Sequence, residues 1–368
     1  MKIFKFSKIL PQIPNLLFRK RLNFEFELLP FEANNLTIKK RLNFFIAGLN
    51  QFLLPSHPLG YPVVAQIEPT NFCNLSCPLC LTTSENQSRP RASLSYGTFK
   101  NFIDQVGDYL LLIVLWNWGE PFLNPDIFKM ISYAKSKNIL IHSSTNGNVP
   151  FSEEKAERLV KSGLDSLIIA VDGATQETYS KYRKGGNLEL VLENIRTIVK
   201  IKKNLKSTTP RLTVRTVITK HNENELPQMR QLAEELKVDF FTIKTVAMSS
   251  DPTGTSDKNY IPKQQKYCMY EYQHQDFKRK KRPFVCMRPW KRITLDAQGE
   301  IISCEYDYKN LHSFGTLNGT TITGQVWKSD QSKNFRKNFN KGHNDYYHCK
   351  ACVYKGRVAD DCTVERLL

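Results

Sequence analysis

The sequence predicts an α/β protein, namely a partial (β/α)6 TIM-like barrel followed by a small C-terminal cysteine-rich domain that contains a hairpin. The barrel is predicted from six short apolar runs between residues 63 and 246, which alternate with amphipathic stretches of helical length. Strands that alternate with helices pair in parallel through right-handed crossovers. Six units are too few for a closed eightfold barrel, so we expect one that is open on one side. The second domain is predicted from five cysteines after residue 283.

The boundaries of these elements follow from the hydrophobic periodicity. The predicted strands are Val63–Ile67, Leu111–Leu115, Leu140–His142, Ser166–Val171, Leu212–Ile218 and Phe240–Thr245. The predicted helices are Ser95–Val106, Asp126–Lys137, Ser152–Ser162, Thr175–Tyr182, Leu188–Asn204 and Glu223–Leu236. In such a barrel, functional residues lie at the carboxyl ends of the strands.

Composition narrows the class of protein. The chain has 368 residues, a formal charge of +18 and nine cysteines. It contains no uninterrupted apolar run of about 18 residues, the length that predicts a membrane-spanning helix, and no clear signal peptide. Many cysteines without a secretion signal are typical of metal ligation in a reducing compartment, so we expect a cytoplasmic protein. The positive charge favours polyanionic neighbours, although lysines scattered over a solvated surface explain it equally simply.

The chain divides into four predicted segments: a basic, partly helical leader (1–61), the barrel (62–248), a polar linker (249–283) and the cysteine-rich domain (284–368). Apolar residues recur at helical spacing in Leu36–Leu53, and a basic cluster spans Arg19–Arg21. The leader could lie on a membrane surface or contact another polyanion. We favour packing against the barrel. The basic run Lys278–Arg282 in the linker is interpreted as a solvated connector.

Three cysteines, Cys73, Cys77 and Cys80, follow the first predicted strand at C-x3-C-x2-C spacing. Thiols at this density favour a soft, thiolate-preferring metal centre. A [4Fe–4S] cluster held by three cysteines keeps one iron free for another ligand. A zinc loop that borrows a distant fourth ligand remains the alternative.

This pattern resembles the radical S-adenosylmethionine (radical SAM) enzymes, in which the open iron chelates the amino and carboxylate groups of the cofactor's methionine. Gly119-Glu120-Pro121, after the second strand, is similar to the family's GGE motif, which accepts hydrogen bonds from the cofactor ammonium. Trp118 stands where that motif commonly has its first glycine. Thr145-Asn146-Gly147, after the third strand, resembles the family's TNG segment, which helps line the cofactor cleft.

Three further positions take cofactor roles by the same resemblance. Asp172 belongs to a Val-Asp-Gly segment that ends the fourth strand, and Arg183 follows where the family has an arginine that reaches the cofactor carboxylate. Leu79 occupies the position that packs against adenine, a pocket that the sixth strand closes near Val246. Ala170 replaces the serine that contacts ribose in the family, so that contact must come from elsewhere.

The C-terminal cysteines resemble those of the SPASM/twitch extension of these enzymes, which ligate auxiliary iron–sulfur clusters. The segment around Gly299 predicts a hairpin between two of the cysteines. Complete SPASM domains have more thiols than this segment offers, so the resemblance implies one auxiliary [4Fe–4S] cluster. Its predicted ligands are Cys286, Cys304, Cys349 and Cys352. Cys268 or Cys362 could instead supply a ligand, and a structural zinc on the same four thiols is the competing metal.

The resemblance implies an oxidoreductase or maturase that uses a 5′-deoxyadenosyl radical to remove hydrogen from a peptide or a sugar-like small molecule. It also implies a flavodoxin- or ferredoxin-type reductant. Two alternatives remain: a tRNA-modifying enzyme or methylase with the same core, and a non-catalytic iron–sulfur or zinc scaffold that its basic leader recruits. The leader is shorter than the peptide-binding domain of many peptide maturases, and its sequence does not predict that domain's hairpin.

Overall fold

The computed structural model describes residues 10–82, 89–246, 259–268, 272–273, 278–279, 286–317, 323–350, 352 and 362–368. None of the described helices combines the length and apolarity needed to traverse a lipid bilayer. Most of the predicted linker lies outside these ranges. The division of the chain into four segments stays a prediction.

The leader contains a β-hairpin, contrary to the expectation from its sequence. Its elements are α1 (Ile13–Phe18), β1 (Leu22–Phe26), β2 (Leu29–Ala33) and α2 (Ile38–Leu53). The two strands pair antiparallel through a two-residue turn, in which Glu27 and Leu28 both have a positive φ, of 50° and 66°. Such turns usually contain Asn-Gly or Asp-Gly, and the absence of glycine explains why the hairpin escaped prediction.

Six parallel strands form the barrel, as predicted, and neighbours in sequence are neighbours in space. They are β3 (Val64–Ile67), β4 (Leu112–Val114), β5 (Leu140–Thr145), β6 (Ser166–Ala170), β7 (Arg211–Ile218) and β8 (Phe240–Thr245). Each agrees with its predicted range to within about three residues, a typical uncertainty for strand ends.

The predicted helices cover one face of this sheet. They are α3 (Tyr96–Val106), α4 (Ile127–Ser136), α5 (Glu153–Lys161), α6 (Gln176–Tyr182), α7 (Leu188–Asn204) and α8 (Leu226–Glu235). Four of them begin where a side-chain oxygen accepts a hydrogen bond from the first turn, the preferred arrangement at a helix start. These capping residues are Ser95, Ser152, Thr175 and Asn187.

The C-terminal segment extends the barrel sheet at both ends. β9 (Tyr272–Gln273) and β10 (Lys278–Arg279) lie in the predicted linker and pair with each other in a separate antiparallel sheet. The elements of the C-terminal segment are α9 (Arg288–Lys291), β11 (Arg292–Leu295), β12 (Glu300–Ile302), β13 (Ser313–Thr316), α10 (Thr323–Trp327), α11 (Asp330–Lys341), α12 (Tyr347–Lys350) and β14 (Cys362–Arg366). The predicted hairpin is confirmed as β11 and β12. β11 also pairs in parallel with β3, and β14 pairs antiparallel with β8. The result is a ten-stranded sheet, with the order β13-β12-β11-β3-β4-β5-β6-β7-β8-β14.

The leader packs against the sheet face opposite the helices, which is the inside of the open barrel. Alternate strand residues point to opposite faces. On β4, Ile113 belongs to the helix-side core, whereas Leu112 and Val114 join a second core with Phe24 and Phe31 of the hairpin. Packing of the leader against the barrel is therefore confirmed.

The hairpin turn brings a carboxylate into the barrel. Glu27 forms ion pairs with Arg215 of β7 and Lys244 of β8. Burial raises the pKa of Glu27, but the two cations lower it further, so its pKa lies below the usual range. Beside it, burial lowers the pKa of His142 to about 3, and this neutral ring packs edge-on against Phe31.

Replacement of Phe31 by alanine tests whether the leader is part of the barrel core. Phe31 is 2% exposed, and its truncation should lower the free energy of unfolding by about 3–5 kcal/mol, as expected for a buried phenylalanine. Phe18→Ala, at a position 83% exposed in the same leader, should cost less than about 0.5 kcal/mol. Urea denaturation measures both, and equal effects would contradict a leader that is integral to the core.

Candidate cofactor-binding site

The three cysteines of the first motif lie in the loop after β3. The loop turns tightly, with the Cys80 amide donating to the Cys77 carbonyl at 3.1 Å. Burial raises the pKa of the Cys73 thiol to about 11. Each of two sulfur atoms has a nitrogen donor nearby: Asn146 Nδ2 lies 3.7 Å from Cys73 Sγ, and Arg183 Nη1 lies 3.8 Å from Cys77 Sγ. Hydrogen bonds to sulfur are one way in which proteins tune iron–sulfur potentials.

Gly119 and Glu120 lie directly beside this loop. Gly119 has a φ of +98°, and a Cβ at this position would lie 2.3 Å from the Thr70 carbonyl oxygen, so only glycine fits. Its neighbour Glu120 is 1% exposed. The Glu120 amide donates to the Phe72 carbonyl at 2.7 Å, which joins the β4 loop to the cysteine loop.

The Glu120 carboxylate is held by neutral donors. Its two oxygens accept hydrogen bonds from the Thr145 hydroxyl (2.8 Å), the Asn146 amide (2.7 Å) and the Phe122 amide (3.2 Å). Burial raises the pKa of Glu120 more than the three hydrogen bonds and the more distant charge of Arg183 lower it. No direct ion pair with Glu120 occurs in the described part of the chain. A buried carboxylate fixed in this way favours a cationic ligand, since a buried charge needs a partner.

Asp172 and Arg183 form a buried ion pair at the ends of β6 and α6. The second oxygen of Asp172 accepts a hydrogen bond from the Val217 amide at 2.6 Å. The pair holds the guanidinium beside Cys77, so the structure brings Arg183 to the cysteine loop as expected. Ala170 is buried at the end of β6, where the family's serine would stand.

Leu79 lies on the other side of the same loop, in a small apolar cluster. It packs with Val246, which follows β8, and with Ile261 and Cys268. The expected closeness of Leu79 to the sixth strand is therefore observed. The Cys268 thiol lies 3.4 Å from the Pro262 carbonyl oxygen, and this placement among apolar neighbours favours a structural role for Cys268.

The second cysteine set converges on one cavity. Its lining includes the four predicted ligands, Cys286, Cys304, Cys349 and Cys352. A donor set of sulfur alone fits an iron–sulfur cluster and also fits zinc. In the described part of the chain, no three His, Cys, Asp or Glu side chains lie close enough together to hold a single metal ion. The side chain of Cys362 lies outside the described residues.

One buried residue, Glu305, has contacts toward both cysteine sites. Glu305 follows Cys304 directly and forms ion pairs with Arg288 and Arg292, both at 2.9 Å. Burial raises the pKa of Glu305, but the two arginines lower it more, so the group stays ionised. Its backbone carbonyl accepts a hydrogen bond from the Trp118 indole at 2.9 Å. The residue that replaces the family's glycine thus reaches the edge of the second site.

The site also contains a buried ion cluster that the sequence analysis did not predict. Arg89 makes two hydrogen bonds to Glu68, at 2.8 and 2.9 Å, and a third to Asp296 at 3.3 Å. All three side chains are at most 3% exposed. Glu68 also accepts hydrogen bonds from the backbone amides of Trp118 and Ala297. No sequence motif indicated Arg89, which lies between two predicted elements.

Comparison with known proteins agrees with this geometry. Residues 67–257, just over half of the chain, match the model of the radical SAM superfamily. The chain belongs to the radical SAM superfamily. Residues 286–353 match the SPASM iron–sulfur cluster-binding domain. The protein is therefore a radical SAM enzyme with a SAM-binding [4Fe–4S] cluster, S-adenosylmethionine and auxiliary iron–sulfur chemistry as its cofactors.

Several curated relatives are 30% identical to this chain over about half of its length. They include the AdoMet-dependent heme synthase of Methanosarcina barkeri (52% of this chain and 52% of the relative), the mycofactocin maturase MftC of Mycobacterium ulcerans (48% and 46%) and the PqqA peptide cyclase of Gluconobacter oxydans (50% and 48%). The matched part spans about half the length of each of these relatives.

Solved structures support the fold. The crystal structure of Streptococcus suis SuiB bound to its precursor peptide SuiA covers 95% of this chain and 83% of SuiB, with a TM-score of 0.58 and 14% identity. SuiB bound to S-adenosylmethionine covers 79% of this chain and 70% of SuiB, with a TM-score of 0.56 and 15% identity.

Replacement of Arg89 by methionine should destabilise the protein strongly, because it leaves the Glu68 and Asp296 carboxylates buried without their cation. We expect a loss of about 3–5 kcal/mol in the free energy of unfolding. Lys200→Met removes an exposed ion pair with Glu153 and should cost less than about 1 kcal/mol. Urea denaturation measures both variants, and a small effect at Arg89 would show that this ion cluster does not hold the site together.

Proposed function

We propose that this chain is a radical SAM maturase that removes a hydrogen atom from a peptide or a comparable small molecule. The observation that carries the proposal is the Glu120 carboxylate, which is buried, fixed by three neutral donors and placed beside the three-cysteine loop. Beside a three-cysteine loop, a carboxylate held in this way offers a binding site for a cationic group. The ammonium group of S-adenosylmethionine supplies that cation.

Each predicted site residue has a part in this arrangement. Cys73, Cys77 and Cys80 would hold the [4Fe–4S] cluster to which S-adenosylmethionine binds. Gly119 and Glu120 bind the ammonium, and Pro121 starts the helical turn that presents the Phe122 amide to Glu120.

The remaining residues orient these groups. Thr145 and Asn146 fix the Glu120 carboxylate, and Asp172 fixes Arg183, which is placed to bind the cofactor's carboxylate. Leu79 supplies an apolar surface for adenine. When bound, the reduced cluster and its cofactor supply a 5′-deoxyadenosyl radical, and the surrounding residues exclude water from it.

The second site is proposed to hold one auxiliary [4Fe–4S] cluster on Cys286, Cys304, Cys349 and Cys352. The charges of Arg288 and Glu305 lie beside these thiols, and such groups influence the potential of a cluster. The auxiliary site is suited to take up the electron that the substrate loses, because Trp118 connects it to the cofactor site.

Peptides are the first substrate class to test, because two of the relatives are named as a peptide cyclase and a maturase. Other relatives are named as heme or pre-heme synthases, so tetrapyrroles are the second class. We propose a flavodoxin- or ferredoxin-type reductant and a cytoplasmic location, where thiols stay reduced.

Replacement of Cys77 by alanine should abolish formation of 5′-deoxyadenosine, because the catalytic cluster loses a ligand. The measurement is chromatography of anaerobic reactions that contain S-adenosylmethionine, dithionite and reconstituted protein. Cys268→Ala is the matched control, since it removes a buried thiol outside both predicted ligand sets, and it should retain most of the activity. Retained deoxyadenosine formation in Cys77→Ala would overturn the proposal.

Replacement of Cys349 by alanine should remove the auxiliary cluster alone. Iron content should fall from about 8 to about 4 atoms per chain, the difference of one [4Fe–4S] cluster. The EPR signal of the remaining reduced cluster should still change when S-adenosylmethionine is added. Wild-type protein with about one zinc and only about 4 iron atoms per chain would contradict an auxiliary iron–sulfur cluster.

A further inference from the structure

Helix α2 buries three polar residues beside Phe44 and Ala47 and exposes most of its apolar residues, an unusual arrangement for a surface helix. Three polar residues, Lys40, Asn43 and Asn50, are buried at 4% exposure or less. A surface helix usually buries its apolar stripe and exposes its polar side chains. The exposed apolar side chains indicate that the outer face of α2 contacts something other than water.

The buried polar residues fix α2 to the barrel. Lys40 Nζ donates to the carbonyl oxygens of Leu110 (2.8 Å), Lys137 (3.0 Å) and Asn138 (2.7 Å). These carbonyls precede β4 and β5, so α2 lies at the amino ends of the strands. Asn50 exchanges two hydrogen bonds with the backbone of Leu59. These contacts fix the rotation of α2 about its own axis and therefore determine which of its side chains face outwards.

The outer face of α2 is an apolar stripe. The stripe consists of six exposed residues: Ile38, Leu42, Ile46, Leu49, Phe52 and Leu53. Their side chains are 43–67% exposed. Their spacing of three and four residues places them on one side of a helix. Contiguous apolar surface of this kind marks a site of protein or membrane contact.

The neighbouring helix α1 enlarges this surface. Arg41 Nη1 donates to the carbonyl oxygens of Leu16 and Leu17, which places the end of α1 beside the start of α2. Leu17 and Phe18 are 46% and 83% exposed. We call the α2 stripe with Leu17 and Phe18 the leader face.

Basic residues border the leader face. On the helical wheel, Lys39 and Arg41 lie on opposite sides of the α2 stripe, and Lys39 pairs with Asp108 at 3.0 Å. Next to Phe18, the chain continues with Arg19, Lys20 and Arg21, all exposed, of which Arg21 pairs with Glu32 at 2.6 Å. Apolar residues flanked by long basic side chains are typical of helices that lie in the plane of an anionic membrane surface.

We propose that the leader face binds the surface of an anionic lipid bilayer, with α2 parallel to the membrane plane. A second copy of the chain fits this face less well, because each copy carries a formal charge of +18 and the basic borders of two copies would meet. An anionic bilayer instead matches both the apolar stripe and the charges around it.

Flotation of the full-length reconstituted protein with lipid vesicles tests this proposal. The protein should float with phosphatidylcholine vesicles that contain about 30 mol% phosphatidylglycerol, and much less with phosphatidylcholine alone, because the basic border needs anionic headgroups. Binding should weaken as salt is raised. Failure to float with the anionic vesicles at low salt would overturn the proposal.

Variants identify the surface responsible. Leu42→Glu/Leu49→Glu places two charges in the exposed stripe and should reduce the floating fraction at least about tenfold, since each charge opposes burial in lipid. Leu311→Glu alters an exposed leucine (62%) in the C-terminal segment and should float like the wild type. Equal loss in both variants would exclude the leader face as the binding surface.

Sedimentation without lipid tests whether a second copy of the chain, rather than a bilayer, binds the leader face. A monomer whose mass is the same in wild type and Leu42→Glu/Leu49→Glu supports the membrane proposal. A wild-type dimer that these substitutions dissociate would overturn it in favour of a second copy. Both variants should retain 5′-deoxyadenosine formation, so loss of membrane binding and failure of the proposed catalytic function are separate results.

Discussion

The buried ion cluster of Glu68, Arg89 and Asp296 joins the three parts of the chain that build the cofactor site. Glu68 follows β3 and leads into the cysteine loop, whereas Asp296 follows β11 in the auxiliary segment. Through the Trp118 amide, Glu68 also fixes the β4 loop that carries Glu120. Burial of these charges is tolerable only because they are paired and hydrogen-bonded. The relative position of the two cysteine sites therefore depends on this cluster.

Some buried carboxylates in this protein pair with an arginine, whereas others, such as Asp307 and Glu223, are held by neutral donors. Glu120 belongs to the second group, and its position beside the three-cysteine loop sets it apart. Glu27, Glu68 and Glu305 each pair with at least one arginine in the described structure. Glu120 instead receives neutral donors and lies where family resemblance places the cofactor ammonium. Arg183 shows the complementary arrangement, since Asp172 orients its guanidinium beside Cys77. A carboxylate without a direct ion pair and a guanidinium thus lie beside the same cysteine loop, an arrangement compatible with the ammonium and the carboxylate of the proposed cofactor.

Periodicity and motif order predicted the six barrel strands and the gathering of the cysteine, Glu120 and Arg183 positions, because local hydrophobic pattern determines these elements. The pairing of β11 with β3 joins residues more than 200 positions apart, and no local pattern reports such a contact. Arg89 lies outside any periodic segment, so its burial could not be inferred. The leader hairpin was missed since its turn places Glu27 and Leu28, rather than glycine, at positive φ.

The position of the leader gives the proposed membrane contact a defined consequence for catalysis. Helix α2 is anchored at the amino ends of the barrel strands through Lys40, whereas the three-cysteine loop, Glu120 and Arg183 lie at their carboxyl ends. The hairpin packs inside the barrel between these two ends. With the leader face on a bilayer, the cofactor site opens away from the membrane. Substrate and reductant would then reach it from the aqueous phase, without the leader having to detach.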